Sequence, residues 1–168
     1  MHRVRIHQGN IAELNVDVIV NATSADLADS NGVSAAILRV AGDEYAYACQ
    51  ILTRCPVGDI RVTPGFRLAA NWVIHAKGPV WRGGNQSEEQ LLASCYNKAM
   101  AEAKKHNVNS IAFPAISCGA TGFPIHRAIK VAIDEISIAL RQNPLLEAVV
   151  FCCFDPVTAA LYKSQTKK

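Results

Sequence analysis

The sequence predicts a three-layer α/β/α sandwich whose central sheet is mixed but mostly parallel. Strand segments at 16–20 and 148–154 are almost continuously apolar, which is typical of strands covered by helices on both faces. Helical and strand patterns alternate along most of the chain, which favours parallel crossover connections. The two opening strands are joined without a helix, and so are the two middle strands. The sheet should therefore not be wholly parallel.

The individual elements follow from the spacing of apolar residues. Strand patterns occur at 4–8, 16–21, 59–63, 72–76, 110–113 and 148–154. Helical patterns occur at 34–53, 88–105 and 124–142, with a shorter one at 156–162. The helix at 124–142 has the clearest signal, because apolar residues recur at three- and four-residue steps from Ala128 to Ala139. Pro124 suits the first turn of that helix.

Length and composition bound the class of protein. The 168 residues are half apolar and 18% charged, and no apolar stretch is long enough to span a bilayer. We therefore expect a single globular domain over 1–168, with no membrane segment and a flexible basic tail from about residue 163. The N-terminal segment alternates like a strand and lacks the pattern of a signal peptide, so we expect a cytoplasmic protein.

The six cysteines are expected to be reduced and mainly structural, because a chain of this size needs no disulfide framework. No pair has the spacing of zinc ligands, since Cys152 and Cys153 are adjacent and point to opposite faces of a strand. The sequence therefore predicts neither a metal nor a cofactor. The net charge of +3 is compatible with an anionic ligand and equally with solubility alone.

Two loops that follow apolar strands carry the candidate site. The first, 21–36, is crowded with small and polar residues, and the second, 117–122, contains two glycines. Backbone N–H groups and the positive end of the following helix make such loops suitable for phosphate. An ordinary strand-to-helix turn is the rival interpretation of the second loop. Asn21 either bonds a ribose hydroxyl or holds a neighbouring loop, and Ser34 is also a candidate N-cap.

Motifs through nearly the whole chain resemble the macro domain family, particularly its bacterial MacroD-type branch. The opening matches are QGNI at 8–11, VDVIVNA at 16–22, NGVSAAI at 31–37 and AG at 41–42. Further matches are VIHAKGPVWRGG at 73–84, LLASCY at 91–96 and AFPAISCGATGFP at 112–124. The resemblance implies a ligand cleft at the C-terminal ends of the strands, which binds ADP-ribose or an ADP-ribosylated protein.

The resemblance also implies roles for particular residues. Asn10 lies where an aspartate normally accepts from the adenine amino group, and the Ile11 backbone reads the adjacent ring nitrogen. Phe154 flanks adenine, and Phe123 lies beside the distal ribose. The implied binding residues are Asn10, Ile11, Asn21, Ser24, Asn31, Gly32, Val33, Ser34, Ser117, Cys118, Gly119, Ala120, Thr121, Gly122, Phe123 and Phe154. The rival structural roles are a turn cap for Asn10, a core position for Phe154 and a small loop residue for Cys118.

The chain departs from the hydrolase pattern of that family. Members carry N-A-A-N, a run of glycines and V-D-G-A-I-H, whereas this chain has NATS at 21–24, DSNG at 29–32 and VSAAIL at 33–38. The usual aspartate is thus replaced by Ser34, a poor general base near neutral pH, and the usual histidine by Leu38. We expect recognition of ADP-ribose with weak or lost hydrolysis. Asp29 would place a negative charge near the diphosphate unless its side chain turns outward.

Two other functions stay open at this point. One is hydrolysis of ADP-ribosyl or O-acetyl-ADP-ribose esters, with a water held by Asn21 and Ser34 and with Asp26 or Asp29 as a substitute acid or base. The other is a degenerate macro domain that binds RNA or a protein through the same cleft. Strong salt dependence would distinguish RNA binding, because phosphate contacts are screened by salt.

Overall fold

The computed structural model describes residues 2–23, 32–119 and 121–167. Within these residues six strands form one sheet: β1 Val4–Gln8, β2 Val18–Ala22, β3 Ile60–Pro64, β4 Trp72–Ala76, β5 Ser110–Phe113 and β6 Ala148–Cys153. Their order across the sheet is β1-β6-β5-β2-β4-β3. Neighbouring strands run parallel except β3, which is antiparallel to β4. The prediction of a mixed, mostly parallel sheet is confirmed.

Helices cover both faces of the sheet. They are α1 Gly32–Ala41, α2 Asp43–Ile51, α3 Glu88–Lys105, α4 Ile125–Gln142 and α5 Pro156–Thr166. The first two helices share a core with one face, around Ile19, Ile37 and Val73. The other three pack on the opposite face, with Phe113 and Phe151 at the centre of that core. These three layers are the predicted α/β/α sandwich, and none of the described helices is long and apolar enough to cross a membrane.

The single helix predicted over 34–53 is wrong, because the chain forms two helices there. Gly42 separates them with a φ of +87°, which breaks the helical ladder and which a side chain would disfavour. Its N–H donates to the Leu38 carbonyl at the end of α1, and its carbonyl accepts from Ala46 in α2. The helix also begins at Gly32, so Ser34 lies inside its first turn and is not an N-cap.

Other boundaries shift by a few residues. The second strand begins at Val18 instead of residue 16, and the sixth ends at Cys153, so Phe154 lies just beyond the sheet. The last helix continues to Thr166, so residues 163–166 of the predicted basic tail are helical. Pro64 is tolerated in β3 because this strand is at the edge of the sheet.

The parallel arrangement brings five strand ends to one edge of the sheet. Pairing of Gln8 with Cys153 aligns the ends of β1 and β6, and pairing of Ala22 with Ala76 aligns those of β2 and β4. Helices α1 and α4 begin after β2 and β5, and therefore at this same edge. The N-termini of α1 and α4 are thus at this edge, and the first backbone N–H groups of a helix have no partner within it.

Candidate functional site

One end of this edge contains the residues that sequence analysis assigned to adenine. Asn10 and Ile11 follow β1 and Phe154 follows β6, and the Gly9 N–H donates to the Cys153 carbonyl at 2.9 Å, which holds the two strand ends together. The Asn10 side chain caps a short 3₁₀ turn by accepting from the Ala12 N–H at 3.0 Å. Phe154 is 50% exposed, so it is not a core residue. An exposed ring is therefore available beside the end of β1.

The loop after β5 has the backbone geometry of a ligand loop. Ser117 adopts a φ of +61°, which is uncommon for a residue with a side chain, and Gly122 adopts +73°. The Ser117 hydroxyl donates to the Pro79 carbonyl at 3.0 Å, and its carbonyl accepts from the Thr121 hydroxyl at 2.8 Å. This unusual backbone is therefore fixed by contacts on both sides.

A second segment, which follows β4, packs against that loop. The Trp81 N–H donates to the Thr121 carbonyl at 3.0 Å, and the Trp81 ring lies 4.8 Å from the ring of Phe123. The Arg127 guanidinium lies over the Trp81 ring, 4.9 Å from its centre. The same guanidinium forms an ion pair with Glu89 at 2.5 Å. The residue predicted beside the distal ribose, Phe123, is thus buried against a tryptophan.

Asn21 and Ser34, the two candidate catalytic residues, contact each other away from solvent. Asn21 is 2% exposed and Ser34 is 4% exposed, and the Ser34 hydroxyl donates to the Asn21 carbonyl oxygen at 3.0 Å. The Asn21 amide nitrogen lies 3.3 Å from Nδ1 of His75, whose Nε2 lies 2.9 Å from the Thr63 hydroxyl. We call Ser34, Asn21, His75 and Thr63 the buried polar chain.

The protonation state of His75 determines which atoms donate and which accept along the buried polar chain. Burial lowers the pKa of His75 to about 4, so the imidazole is neutral near pH 7. Its Nδ1 then accepts from the Asn21 amide, and its Nε2–H donates to Thr63. Tyr45 stacks on the imidazole with ring centres 5.9 Å apart, and burial raises the pKa of its hydroxyl. The orientation of the Asn21 amide is thereby determined by its two partners.

Cys118, which lies in the loop after β5, is not an activated nucleophile. Burial, with a contribution from the negative charge of Asp155, raises the pKa of its thiol to about 12. All six cysteines are free thiols. Across the described part of the chain, no three histidine, cysteine or acidic side chains are close enough to hold a metal ion.

The order of the strands determines how the predicted site residues are arranged. Because β5 lies between β6 and β2, the loop 117–123 separates the Phe154 end of the edge from Asn21 and the start of α1. Gly32 is exposed with a φ of +56°, and Val33 is half-buried beside it. Ser24, Asn31 and Ala120, together with Asp26 and Asp29, lie outside the described residues.

Sequence reasoning missed several residues that line this edge. Thr23, Lys77, Gly78 and Val80 line a cavity together with residues of the loop after β5. Lys77 and Gly78 lie within a stretch that matches the family, and a turn after β4 was the available signal. A Cβ added at Gly78 would lie 2.7 Å from Ile116 Cγ2, so this position needs glycine for close approach.

One buried carboxylate holds the glycine-rich segment 78–87 in place. Glu88, 2% exposed at the start of α3, accepts from the N–H groups of Arg82, Gly84 and Gln86 at 2.9, 2.8 and 2.5 Å. Burial disfavours its charged form, but these backbone donors prevail and lower the pKa of Glu88 below its usual value. The carboxylate thus fixes the segment that carries Trp81.

We expect Glu88→Gln to destabilise the protein at neutral pH. The carboxylate accepts hydrogen bonds from three backbone N–H groups, whereas the amide nitrogen of glutamine is itself a donor and cannot accept them. A depressed pKa in the folded state stabilises the fold above the unfolded value, near 4.5, and this contribution is lost as the pH falls through the folded value. The difference in unfolding free energy between variant and wild type should therefore shrink below pH 4.5. Urea denaturation at neutral and acidic pH measures this difference, and Glu147→Gln, at an exposed position, is the control. An equal difference at both pH values would contradict the role of Glu88.

The sequence is similar to those of known proteins. The sequence model described as "Macro domain" matches residues 20–132. A macro domain-containing protein of Mesorhizobium japonicum is 44% identical over 162 residues, which cover 96% of this chain and 92% of that protein. A protein of Salmonella typhimurium named O-acetyl-ADP-ribose deacetylase is 42% identical over 164 residues, covering 95% and 92% of the two chains.

Solved structures agree with this result. The Oceanobacillus iheyensis macrodomain with ADP superposes with a TM-score of 0.89 at 34% identity, covering 96% of this chain and 88% of that one. The Trypanosoma brucei macrodomain in complex with ADP-ribose superposes with a TM-score of 0.90 at 30% identity, covering 98% and 69%.

Proposed function

Since the chain belongs to the macro domain family, we propose that it binds ADP-ribose along the edge of the sheet and hydrolyses ADP-ribosyl esters weakly or not at all. Adenine would lie beside Phe154, Asn10 and the Ile11 backbone. The diphosphate would lie between the loop 117–122 and the start of α1. ADP-ribosylated proteins are the corresponding partners.

The observation that carries the binding proposal is the fixed loop after β5. Positive φ values at Ser117 and Gly122 orient a curved backbone, and the N-termini of α1 and α4 lie at the same edge. Preorganised N–H groups at helix N-termini bind phosphate without requiring particular side chains. The structures solved with ADP and with ADP-ribose belong to chains of this same fold.

The contacts within the buried polar chain are a reason to expect that hydrolysis is weak. A hydrolytic water needs a base, and the candidate position holds Ser34, whose hydroxyl donates to the Asn21 carbonyl. The Asn21 amide nitrogen is engaged by His75, so both polar atoms of this side chain already have partners. Within the described residues, neither side chain supplies a titratable group that would activate water near pH 7.

Hydrolysis of ADP-ribose esters is the second candidate function. The observation that favours it is the name of the Salmonella typhimurium relative, an O-acetyl-ADP-ribose deacetylase with 42% identity to this chain. Activity here would need a base other than Ser34. Asp26 and Asp29 are the acidic residues that the sequence offers nearby.

Titration calorimetry with ADP-ribose tests the binding proposal. We expect saturable heat with a Kd below about 1 mM, which corresponds to roughly 4 kcal/mol of binding free energy. ADP should bind as well, since it retains the adenine and the diphosphate. Absence of heat and of competition at millimolar ADP-ribose would exclude this function, and salt-sensitive RNA binding unaffected by ADP-ribose would favour the degenerate interpretation.

A direct comparison tests the loss of hydrolysis. We expect this protein to release acetate from O-acetyl-ADP-ribose at least ~100-fold more slowly than the Salmonella typhimurium deacetylase, since a general base typically contributes about that factor or more. Chromatography of the nucleotide products measures both rates under the same conditions. Comparable rates would establish the second function instead.

A further inference from the structure

The Asn21 side chain, near the end of β2, has both of its polar atoms engaged by the protein. Its carbonyl oxygen accepts from the Ser34 hydroxyl at 3.0 Å, and its amide nitrogen lies 3.3 Å from Nδ1 of His75. The nitrogen carries a second hydrogen. Burial raises the pKa of the Tyr45 hydroxyl, and a hydrogen bond from Asn21 opposes that rise. Residues of α1, α2 and β4 therefore hold this one amide.

These contacts also separate the amide from a ligand. Asn21, Ser34, Tyr45 and His75 are each between 0% and 4% exposed. Because so little of the amide is accessible, a ligand hydroxyl can reach Asn21 only if the side chain moves. That movement breaks at least one of the three contacts and leaves a buried polar group without its partner, which is costly.

Ser34 is the contact on the side of the ligand. It lies in the first turn of α1, which begins at the edge where we propose that the diphosphate lies. His75 holds the amide nitrogen from β4, so the amide cannot rotate freely and its carbonyl oxygen keeps facing Ser34. The Ser34 hydroxyl therefore occupies the acceptor that a ribose hydroxyl would otherwise use.

The other residue assigned to the distal ribose is buried as well. Phe123 is 5% exposed, and its ring packs against that of Trp81 at 4.8 Å. Phe154, which is assigned to adenine, is half exposed in contrast. The residues assigned to the two ends of the ligand thus differ in accessibility, and the adenine end is the accessible one.

We infer that this site recognises the ADP portion of its ligand and gains little affinity from the distal ribose, with Ser34 as the positioning residue that withholds Asn21. The inference rests on the proposed function and names its ligand class: adenosine diphosphate, whatever group is esterified to the β-phosphate. It also agrees with weak hydrolysis, because an ester on a ribose that the protein does not hold is poorly oriented for attack.

Titration calorimetry with two ligands of equal charge tests the inference. One is ADP-ribose, and the other is ADP with a methyl ester on its β-phosphate, which lacks the distal ribose. We expect the wild-type protein to bind the two with affinities within about threefold of each other. A hydrogen bond from the ribose to Asn21 would instead favour ADP-ribose by about fivefold or more.

Variants of the two side chains test the role of Ser34. Ser34→Ala frees the Asn21 carbonyl oxygen, so it should bind ADP-ribose about fivefold more tightly relative to the methyl ester than wild type does. Adding Asn21→Ala to this variant should remove the gain. Ser110→Ala is the matched control, because that hydroxyl accepts from the Asp17 N–H at the start of β5, at the opposite edge of the sheet. Thermal unfolding verifies that each variant is folded.

The outcomes separate this inference from the proposed function. Wild-type protein that prefers ADP-ribose by fivefold or more would overturn the inference and leave the proposed function intact. A folded Ser34→Ala variant with the wild-type ratio of affinities would also overturn it. If neither ligand binds at millimolar concentration, the proposed function fails and the inference fails with it. Similar wild-type affinities, with a gain in Ser34→Ala that depends on Asn21, would support both.

Discussion

We expect Gly78→Ala to weaken ADP-ribose binding by about tenfold or more, because the added methyl group would displace the loop after β5. The new Cβ would clash with Ser117 Oγ and lie 2.7 Å from Ile116 Cγ2. Overpacking of this kind typically costs about 1–3 kcal/mol of folding stability, which the protein avoids by moving the loop. A moved loop misplaces the N–H groups proposed to bind phosphate, and a loss of ~1.4 kcal/mol in binding free energy is a factor of ten in Kd. Titration calorimetry measures the change.

A second substitution makes this prediction specific. Gly78→Ala combined with Ser117→Gly should recover part of the affinity, because it removes the clashing oxygen and because glycine adopts the φ of +61° at position 117 readily. Urea denaturation of both variants verifies that a change in affinity does not reflect unfolding. Wild-type affinity in Gly78→Ala would show that the position of the loop does not control binding.

We expect His75→Leu to lower the free energy of unfolding by about 2–4 kcal/mol near pH 7. The substitution leaves the Asn21 amide and the Thr63 hydroxyl buried without their partner, and each orphaned group costs roughly 1–3 kcal/mol. Both residues are almost completely buried. Urea denaturation measures the loss, and a variant as stable as wild type would contradict the role of the buried polar chain.

The pH dependence of this difference provides an independent test. The folded protein resists protonation of His75 until about pH 4, whereas the unfolded chain takes up that proton below about 6.5. Wild type therefore loses stability as the pH falls from 6.5 to 4, by up to about 3 kcal/mol. His75→Leu lacks this loss, so the two proteins should approach equal stability near pH 4.

A double-mutant cycle assigns the effect to the hydrogen bond with Thr63. Thr63→Val should cost stability in wild type, where it removes an acceptor for the His75 Nε2–H, and much less in the His75→Leu background. Additive losses would show that the two side chains do not act together. Ligand affinity of the same variants reports whether the orientation of Asn21 matters for recognition.

Apolar spacing predicted the elements of the fold well and their junctions less well. The helix pattern of 34–53 continues across Gly42, because the residues on both sides face the same core. A glycine within a helical pattern is compatible with either a continuous helix or a break. The left-handed backbone that separates α1 from α2 depends on where the two helices dock on the sheet.

The candidate site was predicted in outline, since motif order identified the loop 117–122 and the end of β2. Thr23 and Lys77 were missed because a lone hydroxyl and a lone lysine carry no pattern of their own. The tertiary structure brings them together as lining residues of one cavity. The closeness of Gly78 to Ser117 likewise joins segments far apart in sequence.

By itself the sequence determined the layered fold, the positions of the two loops proposed to bind the ligand, and the presence of Ser34 where the family pattern has aspartate. These properties depend on local periodicity and residue identity, which are present in the unfolded chain. Only the tertiary structure decided that Ser34 is bonded to Asn21, that His75 is neutral and that Thr23 and Lys77 line one cavity. Burial, pKa and hydrogen-bond partners depend on which strands become neighbours, and the order β5-β2-β4-β3 sets those neighbours.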